Sequence, residues 1–204
     1  MISVLILNKL YDSSECVNNQ VMRELCEIYI PFLIGTLRYN GIKCRFIDVT
    51  EPITEYSING KNRDNIIYLP KFSCDESSKT DISFIYTDSI LQQSPSFGIA
   101  SKLRTLREEK LKKVVFVNQL QGNNILKDCS PIIVDNMRFL NTENTCVLRE
   151  NIFKNAVLTA RAIAEYYGII FLEPFWAVLV KFFLNYVTIG GIINVYNYAY
   201  FVER

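Results

Sequence analysis

The 204-residue chain contains no histidine. Histidine is the side chain that most often takes up and releases protons near neutral pH. It is also the usual partner of a catalytic serine or cysteine and the commonest zinc ligand. Its absence counts against Ser–His and Cys–His nucleophiles and against a histidine-based zinc site. In other respects the composition is that of a globular chain, since 50% of the residues are hydrophobic and 21% are charged.

Excess charge of either sign is also missing, because the formal net charge is +1. Such a balance exerts no general attraction on nucleic acid, and we expect no nucleic-acid partner. One basic segment, residues 102–113, has no interleaved aromatic residues for base stacking. It carries two glutamates, Glu108 and Glu109, and six basic residues, which are Lys102, Arg104, Arg107, Lys110, Lys112 and Lys113. We interpret this segment as the solvated face of a helix.

Paired cysteines are absent too. The six cysteines include no CxxC motif, which excludes a zinc ribbon and a thioredoxin motif. The N-terminus lacks a basic region ahead of its short apolar run, so residues 2–7 predict a first strand and not a signal peptide. We therefore expect free thiols in a protein that is cytoplasmic or belongs to a particle assembled in the cytoplasm.

Hydrophobic periodicity predicts strands that alternate with helices. Apolar runs of strand length occupy residues 2–7, 43–49, 65–69, 81–87 and 114–119, and further extended pieces occupy 132–140 and 146–148. Helical spacing of apolar residues marks 17–39, 97–113 and 152–167. We expect Pro70 to end the third strand, Pro31 to kink or divide the first helix, and Gly41 to end that helix. This order predicts an α/β domain with a central sheet flanked by helices.

Five segments give the chain a resemblance to a known family. In chain order they are ISVLILN, VMRELCEIYIPFLIGTLRYNGIKCRFID, DNIIYLPKFSCDESSKTDISFIYTDS, GIASKLRTL and MRFLNTENTCVLRENIFKNAVLTARAIAEYYGI. Their order over residues 1–168 resembles that of the zinc-dependent N-acetylmuramoyl-L-alanine amidases, the catalytic domains of many cell-wall hydrolases and phage endolysins. The resemblance implies an amidase-like α/β fold, a zinc ion held by two histidines and a glutamate, and a catalytic glutamate at the end of a strand that a helix follows.

The residues that would hold the zinc are missing. Where the family has a glycine-rich loop with a histidine this chain has NKLYDSSE, and LPK at 69–71 stands where the second histidine is expected. Glu15 is the loose match to the glutamate ligand. Because the metal is what lowers the pKa of the attacking water, the resemblance implies a degenerate member with no cofactor. A Cys/Cys/Glu zinc site made from Cys16, Cys74 and Glu15 is the weak alternative.

Glu150 is the best match to the family's catalytic glutamate, because it follows the short apolar run 146–148 and precedes a helix. Three interpretations stay open. In the first, Glu150 is a solvated carboxylate near the first turn of the helix, where the helix dipole favours negative charge. In the second, it is a relic of a catalytic residue, and in the third it works as an acid or base.

The C-terminal part of the chain, residues 169–204, is unusually apolar. Within residues 175–189 only Lys181, Asn185 and Thr188 are polar, and a glycine pair and a β-prone run at 192–202 follow. Such a helix must be covered by its own domain, by a protein partner or by a second copy of the chain. Its length also allows membrane contact, which Lys181 disfavours. The residues expected to make the contact are Phe175, Trp176, Leu179, Phe182, Phe183 and Tyr186.

These features predict an amidase-like α/β domain over residues 1–168 and a hydrophobic C-terminal extension over 169–204. The function we expect is that of a catalytically inactive amidase-like protein, which acts as a structural, assembly or interaction subunit and docks through the extension. One alternative is a protein that binds peptidoglycan without cutting it. The other is a cell-wall hydrolase with a metal site rebuilt around Glu15 and Glu150.

Overall fold

The computed structural model describes residues 2–9, 19–49, 65–75, 81–120, 131–140 and 145–175. The strands are β1 (Ser3–Lys9), β2 (Lys43–Val49), β3 (Ile66–Asp75), β4 (Ile82–Thr87), β5 (Val114–Gln119) and β6 (Ile132–Leu140). The helices are α1 (Asn19–Tyr39), α2 (Pro95–Leu111) and α3 (Thr145–Tyr166).

The six described strands form one sheet in the order β2-β1-β3-β6-β4-β5. β4 runs antiparallel to β6, and the other neighbouring pairs are parallel. The C-terminal ends of β1, β2, β3 and β6 therefore lie at the same edge of the sheet as the N-terminal ends of β4 and β5. This sheet and its helices confirm the predicted α/β class.

Successive side chains of a strand point to opposite faces of the sheet. The described helices pack on one of these two faces. Val4 and Ile6 of β1 share a core with Leu33 of α1, Leu103 of α2 and Ile163 of α3. We call this side the helix face. The opposite face carries a smaller buried cluster, which consists of Leu5, Leu7, Ile67, Leu69, Ile132 and Val134.

The prediction that Pro70 ends the third strand is wrong, since β3 continues to Asp75. Ile67 donates its N–H to the carbonyl of Pro131 on the β6 side, and the direction of the N–H groups alternates along a strand. The nitrogen of Pro70 therefore faces the β1 side, where the pairing of β3 with β1 ends at Tyr68. The missing N–H costs no ladder hydrogen bond there, as at an edge strand.

Helix α1 continues through Pro31 as one element, so the predicted division at this proline is not observed. Its end is confirmed at Gly41, which has a φ of 74° and donates its N–H to the carbonyl of Arg38 at 2.9 Å. Helix α3 ends in the same way at Gly168, with a φ of 71°.

The predicted extended piece at residues 146–148 is wrong, because helix α3 begins at Thr145 and includes these residues. A run of three apolar residues has no periodicity that separates a strand from the first turn of a helix. The strand that precedes this helix is β6, which coincides with the predicted piece at 132–140.

After helix α3 the described chain is tied back to the end of helix α1. Asn40 accepts a hydrogen bond from the N–H of Leu172 at 2.7 Å and donates one to its carbonyl at 3.0 Å. Phe175 is 68% exposed, whereas Trp176, Leu179, Phe182, Phe183 and Tyr186 lie outside the described residues. The division into two parts at 168 stays a prediction. None of the described helices combines the length and the hydropathy that a membrane span needs.

Candidate functional site

Glu150 lies within helix α3 and not at the end of a strand. Its carboxylate pairs with Lys154 Nζ at 2.7 Å, one turn later, and its side chain is 44% exposed. Such an exposed pair at spacing i, i+4 is common on helix surfaces. The strand end that suggested a catalytic position for Glu150 is therefore absent, and its role stays a prediction.

The weak zinc candidates do not form a site in the described part of the chain. Glu15 and Cys16 lie outside it. Cys74 is described only by its backbone, which pairs with Phe139 near the end of β3. No three cysteine, aspartate or glutamate side chains come together in the ranges that the structure describes. These ranges therefore do not supply the donor set that zinc takes in proteins.

A different polar group lies at the centre of the helix face. Each of three strands and three helices contributes one side chain to it, and all six are 0% exposed. We call this group the Asp135 cluster; its members are Tyr29, Tyr68, Ser83, Arg107, Asp135 and Thr159.

Arg107 and Asp135 form a two-point ion pair in the cluster. Arg107 Nη1 donates to Asp135 Oδ1 at 2.8 Å, and Arg107 Nη2 donates to Asp135 Oδ2 at 2.6 Å. The planar guanidinium matches the geometry of a carboxylate in this arrangement. Arg107 also donates to Ser83 Oγ at 2.8 Å and to Thr159 Oγ1 at 3.2 Å.

The carboxylate of Asp135 has no acceptor position left. Besides the two bonds from Arg107, it accepts one from Ser83 Oγ at 3.1 Å and one from the hydroxyl of Tyr68. An ionised carboxylate has about four lone-pair positions for hydrogen bonds. Asp135 is therefore saturated by the protein, and neither a metal ion nor a substrate proton can reach it without displacing one of these partners.

The hydroxyl groups of the cluster contact one another beside Asp135. Tyr68 must donate to Asp135, because an ionised carboxylate only accepts. Tyr29 Oη lies 2.6 Å from Tyr68 Oη and 2.9 Å from Thr159 Oγ1. Thr159 donates its one proton to the carbonyl of Asn155 at 2.8 Å, and Tyr68 gives its proton to Asp135. The single proton of Tyr29 is therefore shared between Tyr68 and Thr159 as possible acceptors.

Burial and charge set the protonation states in the cluster. Burial alone would raise the pKa of Asp135, but the charge and hydrogen bonds of Arg107 and the bond from Tyr68 hold that pKa below its ordinary value. Burial raises the pKa of Tyr29 and Tyr68, and the negative charge of Asp135 raises both further. The cluster is thus an ion pair with neutral phenols near pH 7.

Lys113 is a second buried cation beside the cluster. It is 1% exposed, its Nζ lies 4.1 Å from the ring centroid of Phe139, and it has no hydrogen-bond partner among the described residues. Burial lowers the pKa of Lys113 to about 7, and the charge of Arg107 acts in the same direction, whereas Asp81 and Asp135 oppose the shift. The site therefore disfavours the charged amine.

The interpretation of residues 102–113 as a solvated face is wrong for Arg107 and Lys113. A signal for Arg107 was present in the sequence, because this residue follows Leu103 by four positions and so shares its buried helix face. Asp135 carried no such signal. It interrupts an apolar strand, and only its neighbours in space reveal what neutralises it.

The fold has counterparts among solved structures. The N-acetylmuramoyl-L-alanine amidase AmiC2 of Nostoc punctiforme superposes with a TM-score of 0.56 and 10% identity, covering 81% of this chain and 97% of its own. The amidase CwlD of Clostridioides difficile superposes with a TM-score of 0.54 and 14% identity, covering 81% of this chain and 98% of the CwlD chain. The fold is that of the N-acetylmuramoyl-L-alanine amidases. The resemblance stated from the sequence is thus confirmed for the fold.

A third amidase, CwlV from Bacillus (Paenibacillus) polymyxa var. colistinus, supports the same fold. Its catalytic domain superposes with a TM-score of 0.54 and 13% identity, covering 83% of this chain and 100% of the CwlV domain. No protein-family model matches the sequence, and no curated protein matches it. At these identities the likeness carries the amidase fold alone.

Proposed function

We propose that this chain is a catalytically inactive protein of amidase fold that acts as a structural, assembly or interaction subunit. The supporting observation is the state of Asp135. The resemblance places the catalytic glutamate of the amidases at the end of a strand that a helix follows. The described strand before α3 is β6, and its single acidic residue, Asp135, lies within the strand and not at its end. A carboxylate locked by Arg107, Ser83 and Tyr68 is not free to act as a general base.

The zinc chemistry of the amidases has no support in the described residues. The chain contains no histidine, and the described acidic and thiol side chains do not converge. When zinc is bound in an amidase it activates the attacking water. We derive no catalytic step for this chain, because its described residues do not fit that metal.

A protein partner is the second element of the proposal. CwlD is known in complex with the GerS lipoprotein, so the amidase fold can bind a partner protein. In this chain the described part of the C-terminal extension exposes apolar side chains to solvent, namely Ile170, Leu172 and Phe175. The extension over 169–204 is the docking segment that we propose.

Sedimentation with insoluble peptidoglycan tests this function. The purified full-length protein is incubated with peptidoglycan, with and without added zinc, and the supernatant is assayed for released fragments. An active amidase serves as the positive control. We expect no release under either condition. Release that a chelator abolishes would contradict the proposal and favour the rebuilt hydrolase site.

The same experiment distinguishes the alternative function, a peptidoglycan-binding protein that does not cut. Its support is the fold that this chain shares with the N-acetylmuramoyl-L-alanine amidases. Co-sedimentation without release would favour this alternative. A protein that stays in the supernatant and releases nothing fits the structural subunit.

A further inference from the structure

The two edges of the sheet differ in how they are protected against pairing. The edge strand β2 has the sequence KCRFIDV and carries Lys43, Arg45 and Asp48. Charged residues on an edge strand discourage another strand from adding to it. The edge strand β5 has the sequence VVFVNQ and carries no charge, proline or glycine. Strand β5 is therefore the edge on which pairing is not opposed.

The backbone of β5 offers hydrogen-bonding groups on its outer side. Among the described strands β5 pairs only with β4. Leu120, just after β5, donates its N–H to the carbonyl of Thr87 at 2.8 Å. Because the direction of the N–H groups alternates along a strand, those of Val115, Val117 and Gln119 point away from β4. These groups can pair with a further strand.

The side chains of β5 add an apolar surface at the same edge. Val114 is 42% exposed and Phe116 is 47% exposed, both on the face opposite the helices. The Phe116 ring stacks on Phe84 of β4 with centroids 5.3 Å apart, and Arg138 lies 4.8 Å from the centroid of Phe84. Phe116 is thus the outer member of an aromatic row that stops at the edge of the sheet.

We propose that β5 is a self-association surface, on which a second copy of the chain adds its own β5 in antiparallel orientation. The two-fold axis passes between Phe116 and Phe116 of the second copy. This places Phe116 in a non-hydrogen-bonded pair, where side chains are closest, and makes hydrogen-bonded pairs of Val115 with Val117. The sheet then continues through both copies, and the aromatic row runs across the junction.

The symmetric sequence Val115-Phe116-Val117 favours a second copy as the occupant, and charge favours the antiparallel direction. The exposed Lys112 precedes β5, whereas the strand ends in the neutral amides Asn118 and Gln119. An antiparallel pair sets the lysine end of one copy beside the amide end of the other. A parallel pair would set Lys112 of both copies side by side, which is unfavourable. The pairing is isologous, as in most dimers of identical chains, and it does not depend on the proposed loss of catalysis.

Disulfide trapping tests the register in the full-length protein. Phe116→Cys is oxidised and run on a non-reducing gel, with the wild type as the background from its own cysteines. Val114→Cys is the matched control, since Val114 lies on the same face with similar exposure. In the proposed register the Cα atoms of the two copies are about 14 Å apart at position 114, too far for a disulfide, and within range at position 116. We expect a cross-linked dimer from Phe116→Cys only.

The oligomeric state tests the surface without cross-linking. Sedimentation velocity over a concentration series compares the wild type with Phe116→Lys and with Phe46→Lys. Phe46 lies on the charged edge strand β2 and is 43% exposed, so it controls for the loss of an exposed aromatic residue. We expect the wild type and Phe46→Lys to dimerise alike, and Phe116→Lys to weaken the dimer roughly tenfold or more.

Three results would overturn the proposal. The first is a wild-type protein that stays monomeric at every concentration. The second is a dimer that Phe116→Lys leaves unchanged, which would assign association to another surface such as the C-terminal extension. The third is equal cross-linking at positions 114 and 116. Circular dichroism on each variant establishes that it is folded before the comparison is made.

Discussion

At the scale of single residues, the ion pair of Arg107 and Asp135 dominates the described core. Arg107→Met removes the cation and leaves Asp135 buried and unpaired. We expect a loss of about 3–5 kcal/mol in the free energy of unfolding at pH 7, measured by urea denaturation. The control is Arg104→Met on the same helix, whose side chain is 53% exposed and pairs with Glu108; it should change stability by less than about 1 kcal/mol.

The pH dependence of the Arg107→Met variant separates a lost charge from lost packing. Without Arg107, burial raises the pKa of Asp135. Lowering the pH then protonates the carboxyl group and relieves part of the penalty, so the loss in the variant should be smaller at pH 5 than at pH 7. A loss that is the same at both pH values would attribute the effect to packing alone.

The lowered pKa of Lys113 predicts that the free energy of unfolding rises with pH. Its folded-state pKa of about 7 lies below the ordinary lysine value of 10.5, so between these values the unfolded chain binds the extra proton. Stability then increases with pH in this window, by at most about 1.4 kcal/mol per pH unit. Below pH 7 both states are protonated and the full penalty remains. Charged or titratable groups that act on Lys113 are Arg107, Asp81 and Asp135.

Lys113→Met should therefore stabilise the protein more at pH 6.5 than at pH 9. Urea denaturation at both pH values measures the difference, for which we expect at least about 1 kcal/mol. Lys110→Met, an exposed position of the same basic segment, should show no such dependence on pH. An equal gain at both pH values for Lys113→Met would rule out the titration.

At the scale of elements, the crossing of helices α2 and α3 depends on a glycine. A Cβ atom at Gly98 would overlap the ring of Tyr166. We expect Gly98→Ala to cost about 1–3 kcal/mol through overpacking. In a Tyr166→Ala background the same change should be neutral or stabilising by up to about 1 kcal/mol, because alanine is the better helix former. Urea denaturation of the four proteins measures this, and equal costs in both backgrounds would contradict it.

Elements were predictable where their local signals agreed with their neighbours in space. The bounds of β2 and β5 match the predicted 43–49 and 114–119, and Gly41 ends helix α1 as expected. The errors arose where neighbouring elements decided the secondary structure. Pro70 is tolerated because the pairing of β3 with β1 ends before it. The short apolar run 146–148 has no periodicity of its own and lies in the first turn of α3.

At the scale of the whole molecule, the Asp135 cluster lies at the centre of the amidase fold. The described residues contain no group of side chains that could hold a metal ion. The side chains of this cluster come from elements that are far apart in sequence. Their hydrogen bonds occupy the acceptor positions of Asp135, the one acidic residue of β6. Among the described residues, the surfaces on which we propose association are the uncharged edge at β5 and the apolar residues after α3.

Composition and periodicity by themselves determined the α/β class, the order of most elements and the absence of imidazole chemistry. These are local properties, and each can be derived from neighbouring residues along the chain. Only the tertiary structure decided which carboxylate is buried on the strand before α3, which arginine neutralises it, and that Glu150 lies on an exposed helix surface. Charges that are 28 residues apart in sequence stabilise each other only once folding has brought them within 3 Å and removed the water between them.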